Sequence, residues 1–110
     1  MKFSDLYLGM SASLEHPVTV ATIEMFGEAT GDRNPLHFDD AYAAASQYGG
    51  RVAHGALLVG FVSAVLANKL PGPGSVARVL WIRLQRPVGP GVVVVSLVVV
   101  RELVEEEREV

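Results

Sequence analysis

The sequence contains no cysteine. That rules out disulfides, thiolate nucleophiles and thiolate metal ligands, and it fits a reducing compartment. Excess positive charge is also missing. Lys and Arg number 9 against 12 Asp and Glu, a net charge of −3 at pH 7, so no general attraction to nucleic acid is expected. The longest apolar region, Ala53 to Leu70, is interrupted by His54, Asn68 and Lys69 and is too short for a membrane span. The opening Met1-Lys2-Phe3-Ser4-Asp5 lacks the basic-then-apolar layout of a secretory signal, so a cytoplasmic protein is expected. His16, His37 and His54 are the only histidines. None stands at a helical ligand spacing from another His or from a carboxylate, so no metal is expected. The Gly-Pro-Gly elements are not followed by Lys-Ser/Thr, which argues against a nucleotide phosphate loop.

What remains is a chain of 110 residues, half of them hydrophobic, read as one domain over 1–110. A chain of this size buries roughly 65% of the surface it exposes when unfolded, enough for one core.

Several elements can be read in order. Leu6 to Leu14 alternates as a short strand. Thr19 caps a helix from Val20 to Ala29, with Val20, Ile23, Phe26 and Gly27 on one face and Glu24 and Glu28 on a solvated one. Gly31 stops it, and a loop follows from Asp32 to Phe38. Pro35 forces Asn34 out of the helical region, and Asn34 can bond its own backbone, so this loop is stiff. Asp39 or Asp40 caps a short helix through Ala41 to Ser46, ended by Gly49-Gly50. Gly55 to Leu70 is apolar almost all round, a helix that needs surrounding, and Pro71-Gly72-Pro73-Gly74 ends it. Ser75 to Arg86 alternates as a strand. A turn at Pro87 to Gly91 leads to a valine strand, Val92 to Leu103, expected to be covered on both faces. The acidic tail Val104 to Val110 follows.

Asp32 and His37 are the first candidates for chemistry. A carboxylate and an imidazole in one rigid loop can hold a water between them. One can take its proton while the other supplies a proton elsewhere. A loop-capping Asp beside a surface His gives the same spacing. Gly55 is the second candidate. Its amide opens the apolar helix, where unpaired N–H groups and the helix dipole favour a developing oxyanion; a glycine for close packing is the other reading. Ser63 on the same helix can bond a carboxylate such as Asp32 or serve as a small packing residue. It has no Gly-x-Ser-x-Gly elbow around it and so is a poor nucleophile candidate. Arg51, Lys69, Arg78, Arg83 and Arg86 could meet phosphates or be surface charge.

Three ordered motifs carry a resemblance. They are Gly31-Asp32-Arg33-Asn34-Pro35-Leu36-His37-Phe38-Asp39, then Val52-Ala53-His54-Gly55-Ala56-Leu57-Leu58, then Leu70-Pro71-Gly72-Pro73-Gly74-Ser75. In this order and with these gaps the sequence resembles the MaoC-like (R)-specific enoyl-CoA hydratases, from about Leu6 to about Leu103. The resemblance implies an α+β hot-dog fold, with a long central helix wrapped by an antiparallel sheet, usually as a homodimer. It implies two further strands, about 20 to 25 residues, after the region of Val92 to Leu103, which this sequence lacks.

It also implies hydration of a trans-2-enoyl-CoA to the (R)-3-hydroxyacyl-CoA, with coenzyme A as part of the substrate and no separate cofactor. By position, Asp32 and His37 correspond to the catalytic pair, Gly55 to the oxyanion donor, Ser63 to a residue orienting the carboxylate, and Asn34 to one fixing the loop. Leu57, Phe61 and Leu66 would shape an acyl tunnel. Alternatives are a dehydratase acting on acyl-carrier-protein substrates, a non-catalytic acyl-thioester binding module, and, less in keeping with the Asp/His loop, a hot-dog thioesterase.

Overall fold

A computed structural model describes residues 1–104, and residues 105–110 of the acidic tail lie outside the described residues. After a short 3-10 turn at Phe3–Asp5 come β1 (Ser11–Pro17), α1 (Val20–Thr30), α2 (Pro35–Phe38), α3 (Asp40–Ala45), α4 (Gly55–Asn68) and β2 (Val93–Val99).

The caps follow the sequence chemistry. The Thr19 hydroxyl accepts from the Thr22 amide at the start of α1. Gly31, at φ 81°, closes α1 in the left-handed conformation that glycine adopts without penalty. Asn34 caps α2 with Pro35 at its first position, and Asp39 caps α3 through the Tyr42 amide.

β1 and β2 form an antiparallel pair with Ser11 opposite Val99 and Pro17 opposite Val93. The first strand therefore lies later than the expected Leu6 to Leu14. Gly9 sits in a turn at φ 84°, and pairing with β2 sets where the strand begins. Helix α4 packs on both strands. Leu57, Phe61 and Val65, spaced by four, form its buried stripe, and Val18, Ile23 and Ala53 close the core around it. Full burial of such side chains stabilises by roughly 1.5–3 kcal/mol each.

Three expectations are corrected. Helix α4 is covered along one side only, with Gly60, Val62 and Ser63 exposed. The valine strand is likewise not covered on both faces. Val93, Val95 and Leu97 point outward, while Val94, Ser96 and Val98 face inward. Ser75 to Arg86 forms no strand, because no neighbouring ladder among the described residues receives it. Its alternating side chains stay exposed, Trp81 by 95%. No helix among the described residues is long and apolar enough to cross a membrane.

Candidate active site

The site is built where the end of α1 meets the start of α4. Past Gly31 the chain turns back so closely that Gly27 lies under it. A Cβ on Gly27 would stand 2.9 Å from the Asp32 carbonyl oxygen and closer still to the Phe38 ring. The Thr30 hydroxyl donates to the Phe26 carbonyl and accepts from the Asp32 amide, which fixes the entry to the loop. Asp32 Oδ1 then accepts from the Asn34 amide at 3.3 Å, and Asn34 Oδ1 accepts from the Leu36 amide at 3.0 Å. These nested turns are the Asx type that Asp and Asn favour.

His37 is buried. Its Nδ1 lies 2.6 Å from the Val52 carbonyl oxygen, which can only accept, so Nδ1 carries the hydrogen and Nε2 is the ring nitrogen left for other partners. The Val52 amide returns a bond to the Leu36 carbonyl at 3.2 Å. The two motifs are thus laced together at this point.

Arg51 is a second tie. Its Nη1 donates to Glu24 of α1 at 3.0 Å and its Nε to Asp40 of α3 at 2.7 Å, and Nη1 reaches the His37 carbonyl at 3.4 Å. Hydrogen bonds to Glu24 first and Asp40 second raise the Arg51 pKa above its ordinary value. Only 11% of this side chain is exposed.

His54 was not singled out as a functional residue by sequence reasoning. It is 2% exposed, and its Nε2 lies 3.0 Å from the Asp32 carbonyl oxygen and 4.0 Å from Asp32 Oδ1. Its ring stacks on His37 with centroids 3.7 Å apart and planes 28° apart. The available signal was a histidine directly before an apolar helix, where burial is enforced and a polar ring needs a partner.

An Asp32 carboxylate oxygen and one ring nitrogen each from His37 and His54 all lie within 4.8 Å of one another. This cluster was invisible to a spacing argument, because it joins two loops. The two imidazoles stack with their planes 28° apart, and His37 Nδ1 and His54 Nε2 each face a carbonyl oxygen, which leaves the other nitrogen of each ring without such a contact. A single water bonded to two such atoms spans about 4.5 Å, so the arrangement suits a shared water.

Gly55 is the first residue of α4, where the amide has no intrahelical acceptor. It lines a cavity of about 350 Å³ together with His37, Val52, Leu58, Leu84 and Arg86. A Cβ on Gly55 would run into a Leu84 methyl carbon, so its lack of a side chain also serves packing.

Several expected residues fall elsewhere. Ser63 is exposed, with no hydrogen bond to Asp32 among the described residues. It lies eight residues beyond Gly55, about 12 Å along the helix, and is turned off the site-facing side. Leu57 and Phe61 belong to the core rather than the cavity wall. Arg51 is committed to carboxylates and Lys69 to the Ser13 carbonyl, whereas Arg86 lines the cavity. Glu24 pairs with Arg51 and Glu28 with Arg33, so the two carboxylates form no site together.

The chain is similar to several known proteins. The 3-hydroxybutyryl-CoA dehydratase of Methylorubrum extorquens is 40% identical over 106 residues, covering 96% of this chain and 68% of that protein. The (R)-specific enoyl-CoA hydratase of Rhodospirillum rubrum is 38% identical over 106 residues, covering 96% of this chain and 74% of that protein. The unliganded R-hydratase PhaJ1 from Pseudomonas aeruginosa superposes with a TM-score of 0.87 at 36% identity, over 91% of this chain and 64% of that one. The chain thus spans about two thirds of the length of these relatives, and what it shares with them is the hot-dog fold. Residues 9–110 match the MaoC like domain, and the chain belongs to that family.

Proposed function

We propose that this chain is an (R)-specific enoyl-CoA hydratase, adding water to a trans-2-enoyl-CoA to give the (R)-3-hydroxyacyl-CoA. The observation that carries this reading is the gathering of the Asp32 carboxylate and the His37 ring within 4.8 Å, beside the start of α4.

In this reading Asp32 and His37 hold one water. The thioester carbonyl lies against the Gly55 amide, where the helix N-terminus favours charge developing on oxygen. The water oxygen bonds to carbon three as its proton passes to one of the pair. The electron density received by the thioester oxygen returns, and carbon two takes a proton. Asn34 keeps the loop in shape through the Leu36 amide. Arg86, at the cavity, faces the phosphates of the coenzyme A moiety. Coenzyme A belongs to the substrate, and no other cofactor takes part.

We also place the protein in the cytoplasm as a homodimer. The outward-facing Val93, Val95 and Leu97 of β2 supply an apolar surface of the kind that subunits cover. Sedimentation of the protein across a concentration series tests that assignment, and a monomer throughout removes it.

Chiral resolution of the 3-hydroxyacyl product formed from crotonyl-CoA tests the reaction. The (R) product is expected, and the (S) product or free coenzyme A would contradict it. Two related readings are separable by direct comparison. A carrier-protein dehydratase turns over carrier-protein thioesters faster than coenzyme A thioesters. A binding module shows heat of acyl-CoA binding with no turnover.

A further inference from the structure

We infer that His54 is a positioning residue that tethers the catalytic loop through the Asp32 carbonyl. The inference rests on the hydratase reading for its link to the reaction. Its physical content stands on the loop itself.

The observations converge on one ring. His54 is among the most buried polar residues of the described chain, yet Nδ1 has no hydrogen-bond partner. A buried imidazole with an orphan nitrogen is costly unless its other contacts require it. Those contacts are specific. Nε2 faces the Asp32 carbonyl oxygen at 3.0 Å, an atom that can only accept, so Nε2 carries the hydrogen and donates. One side of the ring lies on His37, and Phe26 stands 4.8 Å away at a tilt of 51°.

The tether crosses from one motif to the other, holding the main chain of Asp32 against the segment that ends at Gly55. The Asp32 side chain is itself 52% exposed; its Oδ1 accepts from the Asn34 amide and stands 4.0 Å from His54 Nε2. Its placement beside His37 therefore depends on where its own backbone is fixed. His54 fixes that backbone and at the same time gives the His37 ring a flat surface. It does both without touching the cavity, whose wall includes His37 and Gly55 but not His54.

Two substitutions separate the contacts. His54→Phe keeps a flat buried ring and removes the donor, whereas His54→Gln keeps an N–H donor and removes the ring. With crotonyl-CoA, His54→Phe is expected to lower kcat about 10- to 100-fold with KM within about twofold, the size of loss that follows a misplaced reacting group. Its pH–rate profile is expected to move, because the Asp32/His37 geometry changes. His54→Gln is expected to recover at least about tenfold of that loss.

Amide hydrogen exchange reads the tether without any turnover. The Asn34 and Leu36 amides should lose protection in His54→Phe and keep it in His54→Gln, while the Ile23 and Val18 amides, bonded to Thr19 and Val92, stay protected in both. Unchanged loop protection in His54→Phe overturns the inference, as does a wild-type kcat with a wild-type pH profile. Should the wild-type protein show no hydration while the loop protection follows this pattern, the tether stands and the hydratase reading falls.

Discussion

The Nδ1 of His37 donates to the carbonyl of Val52 across 2.6 Å, and this one bond decides which nitrogen of the ring meets a water. His37 is buried, whereas Asp32, its partner in the proposed chemistry, is half exposed. The two should therefore separate stability from activity. His37→Ala leaves a small cavity and an unpaired Val52 carbonyl, expected to cost about 1–3 kcal/mol. Asp32→Asn keeps an oxygen for the Asn34 amide and should stay within about 0.5 kcal/mol of wild type. Both should lose about 10²–10⁴-fold in kcat. Denaturant titration beside turnover measurements checks the split.

Gly27 touches the reaction from a distance. An added methyl would press on the Phe38 ring and on the Asp32 carbonyl oxygen, and the oxygen is backbone that cannot rotate aside. Gly27→Ala is expected to destabilise by about 1–3 kcal/mol through overpacking and to lower kcat along with it. Gly60→Ala is the control. A Cβ there meets nothing, and the change should be neutral or slightly stabilising in a helix, by up to about 1 kcal/mol. Equal behaviour of the two variants in thermal unfolding would argue against close approach at Gly27.

Gly55→Ala should behave differently again. The clash is with a terminal methyl of Leu84, a flexible side-chain end that can turn away. Stability should change by less than about 1 kcal/mol. The new methyl stands at the cavity beside the proposed oxyanion donor, so kcat/KM should fall by about 10-fold or more even though the amide itself is intact. Steady-state kinetics with a short enoyl-CoA measures this. Leu84→Ala in the Gly55→Ala background relieves the crowding and should return part of the loss.

Arg51 joins α1, α3 and the His37 carbonyl by a fork of donors. Lysine has one compact ammonium and cannot reach Glu24 and Asp40 with separate nitrogens. Arg51→Lys is therefore expected to lower the unfolding midpoint nearly as much as Arg51→Ala. The Arg51 pKa is raised, so stability gained through its charge is lost only as pH rises through a value beyond the working range. Neither variant should change how unfolding depends on pH between 5 and 8, and melting curves across that range check both statements.

The local signals in the sequence were faithful where the chain interacts with itself nearby. Thr19, Gly31, Asn34 and Asp39 each cap or stop the element that their chemistry indicated. Asp32 lies beside His37, and His37 shares a cavity with the glycine at the start of α4. What depended on distant partners was less legible. The alternation of Ser75 to Arg86 reads as a strand, but a strand exists only against a neighbour, and the described residues provide none there. Ser63 shares a helix with Gly55, and helical geometry carries it away from the loop. His54 entered the cluster through the fold, from a position where its own neighbours gave no ligand pattern.

The most direct measurement is the decay of enoyl absorbance when crotonyl-CoA is mixed with the wild-type protein, with Asp32→Asn and with His37→Ala. Hydration by the wild type, reduced at least about 100-fold in each variant, is the expected result. No decay with the folded wild type, or equal decay in all three proteins, would contradict the assignment of Asp32 and His37 as the pair that handles the water.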